Sequence, residues 1–102
     1  MDLEFESGRI IHEPTEGDIL AQLEGEEFAI LSSDPDTYIQ CAEQSEPPYQ
    51  YVLEYQGGSL AEHYRAADGP IPLDRVVSAF LKYLRGDESW RADFRWERMD
   101  LS

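Results

Sequence analysis

Residues 49–66, YQYVLEYQGGSLAEHYRA, decide the fold. Two runs rich in aromatic and β-branched residues flank Gly57-Gly58, the composition of a β-hairpin with a primed two-residue turn. Both central residues of such a turn take positive φ, which glycine does without a steric penalty. With Gln56 and Ser59 beside the turn, Tyr55 is expected opposite Leu60, Leu53 opposite Glu62, Val52 opposite His63 and Tyr51 opposite Tyr64. One face then carries Tyr49, Tyr51, Leu53, Tyr55, Leu60 and Tyr64. The other carries Gln50, Val52, Glu54, Ala61, His63 and Arg65. A one-residue slip would change which partners meet.

Upstream of the hairpin, apolar residues alternate with polar ones over short runs. Leu3 and Phe5 alternate with acids, Ser7-Gly8 breaks the pattern and Arg9-Ile10-Ile11 resumes it, so one or two short N-terminal strands are expected. Thr15 then reads as a helix N-cap with Asp18 in capping-box position. Ile19, Leu20 and Leu23 form its apolar stripe, and Gly25 is placed to end it as the C′ residue, after about ten residues. Glu27 to Leu31 is a strand, closed by the turn formers Ser32 to Asp36. Thr37 to Ala42 alternates again, with Tyr38 and Gln40 opposite Ile39 and Cys41, and Ser45-Glu46-Pro47-Pro48 is the loop before the hairpin.

Downstream, Asp68-Gly69-Pro70-Ile71-Pro72 interrupts regular structure. Leu73, Val76, Val77, Phe80, Leu81 and Leu84 recur at helical spacing, which predicts a helix over 73–85 ended by Gly86. Asp74 in its first turn and Lys82 and Arg85 in its last suit the helix dipole. Trp90 to Met99 alternates Phe94 and Trp96 with charges and reads as a final strand at a sheet edge. The fold class is α+β, in the order β-α-β-β-β-β-α-β: an antiparallel sheet of about five to six strands with two helices on one face, in a single domain over 1–102. The other face is expected to stay partly open to water. Nothing in the sequence says which one.

Eight basic and 22 acidic residues among 102 give a formal charge of −14. The imbalance is uneven: residues 1–74 hold 2 basic and 17 acidic groups, and residues 75–102 hold 6 and 5. Such a field repels nucleic acid and anionic membranes and attracts a cationic protein partner; solubility or salt adaptation would produce the same composition. No run approaches the roughly 20 apolar residues that span a bilayer. Met1-Asp2-Leu3-Glu4 has no apolar signal core, so a cytoplasmic location is expected. Cys41 is expected to be a buried, inert thiol.

Motifs that carry chemistry are scarce. His12 and His63 have no further ligand at metal spacing, so no metal is expected, and no phosphate loop or nucleophile elbow implies a cofactor or a hydrolase. Glu54 and His63 lie diagonally on one hairpin face. They could act as general base and acid, although such a pair on a sheet is more often a cross-strand hydrogen bond. Six Tyr and two Trp are many for this length, and four of the Tyr lie in the hairpin. Aromatics ringed by carboxylates suit a protein-binding face; the same rings could equally cover the core, and Trp90 and Trp96 are read as core.

The helix DILAQLEG, the strands EFAILSS and TYIQCA, the hairpin YQYVLEYQGG with EHYRAA, the helix LDRVVSAFLKYL and the terminal FRWERM together resemble the immunity protein 1 family of bacterial polymorphic toxin systems. The likeness spans roughly 15–100 and lies in element order and hydrophobic pattern. It implies a small intracellular protein that binds and blocks a cognate toxin, in some members a nucleic-acid deaminase, with no catalytic residues to carry over. The strongly acidic N-terminal part and the compact hairpin depart from the family. The expected function is therefore a non-enzymatic toxin inhibitor that meets a basic partner surface through Glu54, Glu62, Tyr38, Tyr51 and Tyr55. The alternatives are a small enzyme using Glu54 and His63, and a scaffold that forms a homo-oligomer through the open sheet face.

Overall fold

The computed structural model describes residues 1–45 and 50–100. Of the loop expected at 45–48, Ser45 instead ends a strand, paired with Gln50, and Glu46, Pro47, Pro48 and the following Tyr49 lie outside the described residues. Within them the chain forms an α+β fold with an antiparallel sheet of eight strands: β1 Asp2–Phe5, β2 Ile10–His12, β3 Phe28–Asp34, β4 Thr37–Ser45, β5 Gln50–Gly57, β6 His63–Ala66, β7 Ile71–Pro72 and β8 Trp96–Arg98. Helices α1 (Glu16–Gln22) and α2 (Leu73–Arg85) complete it, with two 3-10 segments at Leu60–Glu62 and Glu88–Asp93. The strand order across the sheet is β2-β1-β3-β4-β5-β6-β8, and β7 pairs with β5. The sheet is larger than the five to six strands expected, and the element order differs accordingly.

Period-two alternation determines which side chains are buried. Leu3, Phe5, Ala29, Leu31, Ile39, Cys41, Tyr51 and Leu53 point to one face and are at most 2% exposed. Ile19 and Leu23 from the α1 segment and Val76, Ala79 and Phe80 from α2 pack into the same cluster. Both helices therefore lie on one face, as the pattern predicts. They are tied together by Arg85, whose Nε and Nη2 donate to the Glu16 carboxylate at 3.0 and 2.6 Å. That guanidinium holds the Glu16 carboxyl below the usual range.

The capping box at Thr15 forms as read: Asp18 N donates to Thr15 Oγ1 at 3.2 Å, and Thr15 N to the Asp18 carboxylate at 2.8 Å. The helix it opens is shorter than expected, seven residues, and is capped by Leu23. Gly25, at φ +84°, turns the chain two residues after that cap. Leu20 leaves the apolar stripe and is 61% exposed, because a neighbour of Ile19 lies about 100° round the helix. The second helix has the predicted ends, closed by Gly86 at φ +76°, whose N–H reaches the carbonyls of Lys82 and Tyr83.

Four local expectations are corrected. Ser32 to Asp34 belong to β3, and the turn shrinks to Pro35-Asp36, held by Asp36 N donating to the Asp34 carboxylate at 2.8 Å. The hairpin does not turn at Gly57-Gly58. Gly57 pairs with Thr37 of β4 and Gly58 N donates to the Asp36 carbonyl, so β5 runs on beside β4 and β6 starts only at His63. Tyr55 consequently faces Tyr64, Glu54 faces Arg65 and Gln56 faces His63. The register has moved by four residues, an even number, so each side chain keeps its face while its partner changes. Ile71-Pro72 adds a two-residue strand beside Gln50 and Tyr51, on the stretch of β5 that β6 leaves unpaired. Finally, Trp90 lies in a 3-10 turn rather than a strand and inserts at 3% exposure against Tyr55 and Tyr83. Only Trp96–Arg98 forms the terminal strand, at the edge beside β6.

Cys41 is 1% exposed, and burial pushes its thiol up to about 12. A thiol reagent is expected to leave the folded protein unmodified and to label one site per chain once denaturant is added, because the thiolate is the reactive form. Rapid labelling of the native protein would contradict the burial.

Candidate functional site

The face of the sheet away from both helices carries the other half of each alternating strand. From β1 come Asp2 and Glu4, from β3 Ile30 and Ser32, from β4 Tyr38, Gln40 and Ala42, from β5 Val52, Glu54 and Gln56, and from β6 His63 and Arg65. Glu97 of β8 stands opposite Arg65. Most of these side chains are partly or fully exposed. Gln56 and His63 are the exceptions, at 4% and 3% exposure.

Those two residues organise a polar network across three strands. The Gln56 Nε2 donates to the Asp36 carbonyl at 3.1 Å, which aims Oε1 back into the sheet. That oxygen receives the Tyr38 hydroxyl at 3.2 Å and lies 3.0 Å from His63 Nδ1. On the other side of the ring, His63 Nε2 lies 2.6 Å from Glu54 Oε1, which also accepts from Gln40 Nε2 at 3.3 Å. The Tyr38 ring meets the imidazole edge-on at 6.1 Å between centroids. Burial, then the charges of Glu54 and Asp36, push the Tyr38 phenol up, so it stays a donor.

This arrangement suits structure better than turnover. A general acid or base needs a ring nitrogen or carboxylate oxygen within reach of a substrate proton. Both nitrogens of His63 are engaged and the ring is almost fully buried. A shallow cleft of about 200 Å³ opens beside Val52, Arg65, Gly69, Pro70 and Glu97, but neither Glu54 nor His63 lines it. The cross-strand hydrogen bond expected between Glu54 and His63 is present.

The five expected contact residues are not brought together. Tyr38 and Glu54 share the open face, with the Glu54 side chain 20% exposed. Glu62 is exposed in the 3-10 turn and accepts the Tyr64 hydroxyl at 2.7 Å, which raises that phenol. Tyr51 is 0% exposed under the helices, where no docked partner would touch it. Tyr55 is half-buried on the same side, stacked on Tyr64 at 5.0 Å and edge-on to Trp90 and Trp96 at 4.8 and 4.7 Å. The Tyr-rich flank is therefore mostly a lining of the helix side. Trp90 is core as read, and Trp96 packs against it with its Nε1 donating to the Arg91 carbonyl at 2.8 Å.

The sequence reading placed Gln40 and Gln56 in strands but gave them no role in a site. Their alternation with Ile39, Cys41, Leu53 and Tyr55 marks a polar stripe, but closure of that stripe onto His63 depends on the β5–β6 register. Among the described residues no group of three or more His, Cys, Asp or Glu is placed to hold a metal, and no helix is long and apolar enough to cross a membrane. The chain matches no family model, no curated protein and no solved structure.

Proposed function

We propose that this chain is a non-enzymatic binding protein that docks its open sheet face on a cationic surface of a protein partner, as an immunity protein docks on the toxin it neutralises. The carrying observation is the uncovered face itself. Ile30, Ala42 and Val52 lie half-buried on its three middle strands, which also carry Tyr38 and Glu54, and Asp2, Glu4 and Glu97 stand on strands nearer its edges. A half-apolar centre with a charged rim is the anatomy of a protein interface. A net charge of −14 would steer a basic partner towards it and speed encounter. Inhibition would then be steric, with Tyr38 as the aromatic contact and with Tyr51 and Tyr55 serving the fold.

The test is co-expression with a secreted toxin encoded beside this chain, scored by growth rescue. Glu4→Lys combined with Glu97→Lys is expected to abolish rescue, whereas Glu24→Lys combined with Asp74→Lys, away from this face, is expected to retain it. Failure of the native chain to rescue, or equal loss with both pairs, would remove the proposal. The salt dependence of complex formation gives a second readout, since charge-steered association slows as ionic strength rises.

A further inference from the structure

The sheet ends at β2 on one side and at β8 on the other. A strand with no outer neighbour turns a row of unpaired N–H and C=O groups to solvent and can template another strand. On β2 the direction of each group follows from the pairing with β1. Phe5 N donates to the Arg9 carbonyl and Glu13 N to the Met1 carbonyl. The Leu3–Ile11 pair between them is therefore also hydrogen-bonded, and Ile10 and His12 alternate with it. The N–H and C=O of Ile10 and His12 point away from β1, where among the described residues nothing pairs with them.

Two copies of this edge have one productive antiparallel register, because outward-pointing residues must face each other. Ile10 against Ile10 of a second copy would bring His12 to Gly8, a turn residue at φ +87°. His12 against His12 would bring Ile10 to Pro14, which has no N–H to donate. Ile10 against His12 uses both residues of both copies, each pair exchanging bonds in the two directions. That register also matches the side chains. Ile11 meets its own counterpart on the helix side, where it already packs against the core cluster. Ile10, 45% exposed, meets the His12 ring on the open side. Arg9 falls opposite Glu13, and both have capacity to spare. Only Nη2 of Arg9 donates, to Gln22 and Glu26, while Glu13, 89% exposed in its side chain, gives one oxygen to the N-terminal ammonium.

The other edge fails the same construction. Ala67 N donates to the Arg95 carbonyl and Met99 N to the His63 carbonyl, so on β8 the outward residues are Trp96 and Arg98. Pairing these across a two-fold axis sets Glu97 against Glu97, and like charges directly opposite are unfavourable. Charge guards β8, whereas β2 is self-complementary.

We propose that two copies of this chain associate through β2, with Ile10 of each paired antiparallel to His12 of the other, into one continuous sheet about a two-fold axis normal to it. The interface is isologous, the commonest kind in homodimers. The axis keeps both open faces on one side and both helix layers on the other, and the pairing does not depend on what the open face binds. The charge of −14 on each copy opposes association, but at physiological ionic strength exposed charges more than about 8 Å apart are largely screened. So short a seam makes a weak dimer that dissociates on dilution.

Sedimentation of the native chain at physiological ionic strength is expected to show a monomer–dimer equilibrium, and a pure monomer at millimolar concentration would overturn the proposal. Two variants test the register. Arg9→Glu opposes two carboxylates at each end of the seam, and Glu13→Arg opposes two guanidinium groups. Each alone is expected to dimerise about tenfold more weakly, as exposed pairs turn from attractive to repulsive. In a mixture of the two, every such pair is again of opposite sign, and the mixed dimer is expected to regain native affinity. A mixture as weak as its components would overturn the register. In the native protein, amide exchange at Ile10 and His12 is expected to slow as concentration rises while Trp96 and Arg98 stay unchanged. A dimer that protects β8, or neither edge, would overturn the assignment to β2.

Discussion

Tyr51→Ala is expected to lower the unfolding free energy by about 3–5 kcal/mol, the range for truncating a buried aromatic. The side chain has no solvent exposure and sits in the cluster formed by Leu53, Ile71, Val76 and Phe80. Removing it discards the transfer free energy of the ring and leaves a cavity that the sheet and α2 can close only in part. A domain of about this size loses roughly 4–8 °C of melting temperature per kcal/mol, so the midpoint should fall by more than about 12 °C. Urea unfolding followed by tryptophan fluorescence is a suitable measure, since Trp90 and Trp96 report on the same side of the sheet. The outcome also separates two roles for the residue. A surface contact would leave the midpoint in place and weaken only partner binding, and that result would put Tyr51 outside the core.

His63→Ala is expected to cost about 2–3 kcal/mol of stability. Leaving a buried polar group without its hydrogen-bond partner typically costs about 1–3 kcal/mol, and this change strips a partner from two groups. Glu54 keeps 20% side-chain exposure and can recover part of its hydration, so the total stays below the sum of two full penalties. The loss arises because the Glu54 carboxyl and the Gln56 amide forfeit their imidazole partner inside the sheet. A double-mutant cycle with Glu54→Gln should show a coupling of about 1–2 kcal/mol, within the range for residues in direct contact. Additive effects would mean that the two side chains act independently, against the 2.6 Å contact. As a general base, His63 would instead be replaceable with little effect on stability and a loss of turnover.

The parts of the site that were legible in the sequence are those that need only local pattern. Tyr38, Gln40, Glu54 and His63 could be assigned to strand faces by counting in twos, and Glu54 could be set diagonally from His63. The illegible parts needed a register. The glycine pair at 57–58 invites a tight turn, but the pairing of Gly57 with Thr37 on the opposite flank of β5 outweighs it. One residue, held by its neighbour strand, thus shifts the partner of every residue in β6. The role of Gln56 follows from that shift alone, since only the observed register sets it opposite His63.

By itself the sequence determined the α+β class, the capping box at Thr15, the full extent of α2, the buried thiol and the set of side chains on each face, because each depends on periodicity or on contacts a few residues apart. Tertiary structure decided which face the helices cover, and so sent Tyr51 and Tyr55 inward and left Glu54 outward. It also added β7, turned Trp90 into a 3-10 segment and closed the His63 network. Those outcomes depend on contacts between residues far apart in the chain, where competing partners of similar hydrophobicity are separated only by how well they fill one shared core.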